Sequence, residues 1–166
     1  MENFEKTPQI ERISENKKRL LDLEKSGQYV FHGSPEKINL LEPRQAENRN
    51  KETGKMEKHG LPAVFATPFS DVAIFRSLIN AKGVFGESRS SYGMNEEDAL
   101  YFRATQNLID KAKEKIGKIY ILDKRKFEDF KGTECTCQKE IEPIEVIEVK
   151  FEDLPRNIKI LPDEKK

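Results

Sequence analysis

In the stretch Tyr29-Val30-Phe31-His32-Gly33-Ser34-Pro35, a histidine, a glycine and a serine directly follow three β-favouring residues. Gly33, Ser34 and Pro35 must end the run, so His32 stands at the carboxyl end of a strand. An imidazole there offers one donor and one acceptor, and the choice is between packing and chemistry. A second candidate is the pair Glu140 and Glu142, spaced to face one side of an extended chain. A carboxylate partly shielded from water stabilises positive charge developing in front of it. The only cysteines, Cys135 and Cys137, stand one residue apart. That spacing strains a disulfide and is too narrow and too poor in ligands for a zinc site, so they read as two reduced thiols and imply no metal.

The elements that must position these residues follow from periodicity. Residues 8–26 carry Ile10, Ile13, Leu20, Leu21 and Leu23 at roughly helical spacing, and Gly27 stands where a helix stops. After the His32 strand, Ile38, Leu40 and Leu41 turn inward and Pro43 ends the segment. Residues 46–60, which include His59, are almost wholly polar and read as a mobile functional loop or an insertion. A short strand at residues 63–66 leads through Thr67-Pro68 to a helix capped by Ser70 or Asp71, with Val72, Phe75 and Leu78 on one face. Residues 83–104 read as loops with one or two short strands, and residues 104–115 as a weak helix or an irregular hairpin. Ile119, Ile121 and Leu122 mark a strand, with residues 124–127 turning away. Further on, Ile144, Val146 and Glu148 alternate with Glu145, Ile147 and Val149 at the period of two of a half-buried strand. A turn and a short strand follow.

At 166 residues the chain fits one domain. The division is an amphipathic helical segment at 1–27, a single domain at 28–162 and a tail at 163–166. The fold class is α+β, with helices between the early strands and one helix before them. Lysine plus arginine and aspartate plus glutamate each total 30, so no general attraction to nucleic acid or to an anionic membrane follows. No segment reaches the roughly 20 apolar residues that span a bilayer, and the first residues lack the apolar stretch of a secretory signal. A cytoplasmic protein with no membrane partner is the expectation.

In their order, the His32-Gly33-Ser34 strand end, Ala63-Val64-Phe65-Ala66-Thr67 with Ser70 to Phe75, and a late strand introduced by glutamates resemble the ADP-ribosyltransferase superfamily. The likeness is to its histidine-type branch, with the poly(ADP-ribose) polymerases, diphtheria-type toxins and rifampin ADP-ribosyltransferases, and it spans residues 29 to 154. It implies a split β-sandwich and NAD as substrate. His32 would hold the adenine-side ribose, Gly33 the nicotinamide carboxamide through its backbone, and Ser34 the ribose. A glutamate at the start of the late strand would stabilise the cation left as nicotinamide departs. Glu140 is favoured over Glu142, because Pro143 begins the regular strand. The two tyrosines that sandwich nicotinamide in polymerase-type members fall here on Val64 or Phe65 and on Phe75, with Tyr92 or Tyr101 as rings from elsewhere. Arg44 and Arg76 would be the candidate anchors for the pyrophosphate, which finds no glycine-rich dinucleotide fingerprint here. That lack also argues against a dehydrogenase.

The implied activity is transfer of ADP-ribose to a protein, nucleic acid or small molecule. Three alternatives remain: a nucleotide-binding module without turnover, an RNA 2′-phosphotransferase-like enzyme, and a partner protein working through residues 7–26. The phosphotransferases rely on further arginines and a histidine in the second strand, which Ala63 to Thr67 does not supply.

Overall fold

The computed structural model describes residues 13–49, 52–53 and 55–162. The expectations for residues 1–12 and for the tail at 163–166 lie outside them. Helix α1, Glu15–Ser26, starts at Ser14, whose side chain accepts from the Lys17 amide, and stops at Gly27. Gly27 takes φ 73°, a left-handed conformation that glycine adopts without a Cβ penalty. Strand β1, Tyr29–Ser34, follows at once.

Strands β2, Arg44–Arg49, and β3, Met56–Ala66, form an antiparallel arm whose register runs from Arg44↔Ala63 to Arg49↔Met56. Most of the polar segment expected as a loop is therefore paired strand. Two antiparallel strands satisfy each other's backbone groups, so the ladder forms without the apolar alternation by which a strand is recognised in sequence.

Helix α2, Ser70–Leu78, lies between β3 and strand β4, Ser90–Met94; strand β5, Leu100–Thr105, and helix α3, Gln106–Ala112, come next. The remaining strands are β6, Gly117–Asp123; β7, Glu128–Lys131; β8, Glu134–Cys137; β9, Glu145–Val149; and β10, Ile158–Leu161. They form three small sheets, ordered β1-β6-β9, β10-β5-β4 and β2-β3-β8-β7. Among the described residues all strand pairs are antiparallel except β10 with β5. The architecture is α+β.

Strand β6 carries the core on both faces. Ile119 and Ile121 pack into a cluster under the three helices, while Tyr120 and Leu122 pack into a second cluster against β3 and β8. β1 does the same, with Phe31 in the first cluster and Val30 in the second. In β9 the alternation leaves Ile147 and Val149 buried and Val146 exposed. The Tyr120 hydroxyl donates to the Glu36 carbonyl at 2.6 Å and accepts from the Ile38 amide at 2.7 Å. It thus fixes the segment that leaves β1.

Neither Ser70 nor Asp71 caps α2; Phe69 is the N-cap residue and makes no side-chain cap bond. Glu24, reaching across from α1, accepts from the Ser70 amide at 2.8 Å and from its hydroxyl at 2.7 Å. A carboxylate at a helix amino terminus meets both the free N–H groups and the positive end of the dipole. Asp71 instead pairs with Lys17 at 2.8 Å. Among the described residues no helix is long and apolar enough to cross a membrane.

Candidate functional site

β1 and β3 meet at a single bridge. The Phe31 amide donates to the Thr67 carbonyl at 2.7 Å, and the Thr67 amide donates to the Phe31 carbonyl at 2.8 Å. Beyond that bridge the His32 side chain takes the place of the backbone ladder, with Nδ1 2.7 Å from the Phe65 carbonyl. A carbonyl only accepts, so Nδ1 carries the proton and Nε2 is left as an acceptor. Burial is the main cause holding the His32 pKa below its ordinary value; the Phe65 carbonyl opposes it, and Arg76 and Arg44 reinforce it. His32 is therefore neutral at pH 7. Its ring also lies 6.2 Å from that of Tyr120, in a tilted arrangement.

A crevice opens where the strands part, walled by His32, Phe65, Arg76, Tyr92 and Glu134. Its free volume is about 10 Å³, room for about one water molecule. His32, Phe65 and Arg76 also wall an adjoining groove of about 530 Å³, together with Ser34 and Arg44.

Glu134 reaches the crevice through strand alternation. In β8, Cys135 and Cys137 turn into the core, which leaves Glu134 and Thr136 on the opposite face. β8 pairs with β3 through Phe65↔Thr136 and Ala66↔Cys135, so Glu134 lies just beyond the end of β3. Burial drives the Cys135 thiol up to about 12, and both cysteines are free.

Tyr92, on β4, packs edge-on against Phe75, with ring centroids 6.1 Å apart at 64°. Its hydroxyl accepts from Arg76 Nη1 at 3.2 Å. Burial, chiefly, raises the Tyr92 pKa, and Arg76 opposes that shift. Arg76 Nη1 also stands 3.8 Å from Glu134 Oε2.

The structure thus brings His32, Gly33, Phe65 and Arg76 to the crevice, and Ser34 and Arg44 to the groove beside it. It does not bring Phe75 or Glu140. Phe75 is only 2% exposed, packed against Phe102 at 5.1 Å, so it backs Tyr92 from the core rather than walling the crevice. Glu140 is exposed, in the segment between β8 and the Leu41–Ile141 bridge, and Glu142 lies exposed just past that bridge. The carboxylate at the crevice is Glu134 and the aromatic ring is Tyr92. A reading of Cys135 and Cys137 as a thiol pair alone gives Glu134 no role. The Glu-Cys-Thr-Cys alternation was the available signal, a half-buried strand with its polar face led by a glutamate.

Gly33 has a structural cause of its own. A Cβ built on it would lie 1.9 Å from the Ala73 carbonyl oxygen of α2, so the helix seats directly on the β1 backbone. Among the described residues no group of three or more His, Cys, Asp or Glu side chains could hold a metal ion. No protein-family model matches the chain, and no curated protein or solved structure matches it.

Proposed function

We propose that the chain is an NAD-dependent ADP-ribosyltransferase with its reaction centre at the crevice where β1 and β3 part. The observation that carries this reading is the convergence of His32, Tyr92 and Glu134 from three separate strands on one crevice beside an open groove. A histidine with a free acceptor, an aromatic ring and a carboxylate are the groups that the resemblance to the histidine-type branch assigns to extended binding and cleavage of NAD.

In this reading the groove takes the adenosine half. His32 Nε2 accepts from a ribose hydroxyl while the Phe65 carbonyl holds the ring in the matching tautomer. Tyr92 offers a face to nicotinamide. The bond between ribose C1′ and the nicotinamide nitrogen breaks, and the bonding pair leaves with nicotinamide. Glu134 stabilises the positive charge left on the ribose. The acceptor's nucleophilic atom then bonds to C1′ and gives up its proton to water. The split-sandwich architecture belongs to the same proposal. Support for it includes the pairing of the glutamate strand β8 with β3, and the near contact of β3 with the His32 strand.

The test is nicotinamide release from NAD with water as acceptor, read by chromatography alongside calorimetric NAD binding. The proteins are wild type, His32→Ala, Glu134→Gln and Glu140→Gln. Glu134→Gln should lower release about a hundredfold to a thousandfold while binding persists, Glu140→Gln should leave release unchanged, and His32→Ala should weaken binding. Binding without release by wild type would turn the reading into that of a nucleotide-binding module, and absence of both would end it.

A further inference from the structure

Arg76 is the one exposed residue of α2, yet its guanidinium is held across the crevice rather than trailing into water. It donates to the Tyr92 hydroxyl at 3.2 Å, stands 3.8 Å from Glu134, and its central carbon lies 5.9 Å from the centroid of the Tyr92 ring. One side chain so ties α2 to β4 and β8, and the crevice it bars has about 10 Å³ of free space, too little for any pyridine ring. Both groups that it holds are the ones the proposed reaction needs free.

The same arginine also walls the open groove, with Arg44 on the same wall. Of the acids lining that groove, Glu36 is neutralised by its ion pair with Lys82, and Glu42 stands exposed. The surroundings of Arg76 therefore favour an anion entering from the groove side.

We propose that Arg76 is a latch that makes the site selective for phosphate-bearing donors. In the free protein it closes the crevice through Glu134 and Tyr92. The phosphates of a dinucleotide seated in the groove draw the guanidinium off the carboxylate, which opens the crevice and unpairs Glu134 in the same movement. The exchange is downhill, because an exposed ion pair is weak and a forked guanidinium–phosphate contact is among the stronger charge-assisted hydrogen bonds. This inference rests on the reading of the crevice as a nicotinamide site.

A ligand without phosphate has to break the latch unaided. Nicotinamide itself should therefore bind wild type weakly. Arg76→Ala should strengthen nicotinamide binding about tenfold, the combined worth of one exposed ion pair and one hydrogen bond, and should weaken NAD binding. Arg76→Lys keeps the charge without the fork and should fall between the two. The experiment is calorimetric titration of nicotinamide and of NAD into the three proteins, each checked for folding by thermal melting, with nicotinamide release from NAD measured in parallel. Opposite signs for the two ligands support the latch, since a merely structural role for Arg76 would move both the same way. If wild type cleaves NAD but the two affinities move together or not at all, the latch is overturned and the transferase reading stands. If wild type neither binds nor cleaves NAD, both fall.

Discussion

Replacing Gly33 with alanine would set a methyl group 1.9 Å from the Ala73 carbonyl oxygen. Ordinary van der Waals contact begins at 3.4 Å, so about 1.5 Å of separation has to open between β1 and α2. Neither element can give way cheaply. β1 is locked to β6 along its whole length, from Tyr29↔Asp123 to Ser34↔Lys118, and α2 has Val72, Ala73, Ile74, Phe75 and Leu78 buried beneath it. Overpacking of this kind typically costs about 1–3 kcal/mol, and a backbone obstacle belongs at the upper end because no side chain can rotate out of the way. About 3 kcal/mol in a domain of this size lowers the melting temperature by about 6–12 °C. The assay is thermal and urea denaturation followed by circular dichroism, for wild type, Gly33→Ala and Gly33→Ala combined with Ala73→Gly. Because the obstacle is the Ala73 carbonyl, removing the Ala73 methyl should not rescue stability. A melting temperature within about 2 °C of wild type for Gly33→Ala, less than about 1 kcal/mol, would refute the reasoning, as would full rescue by Ala73→Gly. The first outcome would mean that glycine is needed there for something other than packing.

Two further outcomes follow from the same geometry. Tyr120→Phe removes the donor to the Glu36 carbonyl and strands the part-buried Ile38 amide; the expected loss is about 1 kcal/mol, read as a lower urea midpoint at unchanged slope. His32 has a folded-state pKa below the unfolded value, so between the two pKa values the unfolded chain binds the extra proton and stability rises with pH. Stability should therefore drop as pH falls through about 6.5, and urea midpoints at pH 7.5 and 5.5 should differ less in His32→Gln than in wild type; an equal difference would contradict the burial of a neutral imidazole.

Several local signals are legible in the sequence. Tyr29-Val30-Phe31 marks β1 as a strand, although it continues past His32 through Gly33 and Ser34, both still paired with β6, instead of ending at His32. Gly27 ends α1 because the left-handed conformation there suits glycine. The period of two marks β9 as a strand from spacing alone, and packing then decides that Ile147 and Val149, not Ile144 and Val146, face the core. Each of these signals follows from a few consecutive residues and their backbone preferences.

Contacts between distant segments decided the rest. The polar arm of β2 and β3 is held by backbone pairing, which leaves no mark on side-chain pattern. α2 is capped by Glu24, 46 residues earlier in the chain, so no local reading of Ser70 or Asp71 could supply its partner. Phe75 and Tyr92 are both aromatic, and only the seating of α2 against β4 places one in the core and the other at the crevice. Glu134 and Glu140 are both glutamates near the start of a strand. What separates them is that β8 pairs with β3, whose end lies beside His32, whereas Glu140 projects into solvent. Residue type and spacing determined which groups were available to do chemistry, but which of them share a site was decided by strand pairing across the chain, because proximity between distant segments is a property of the packed core.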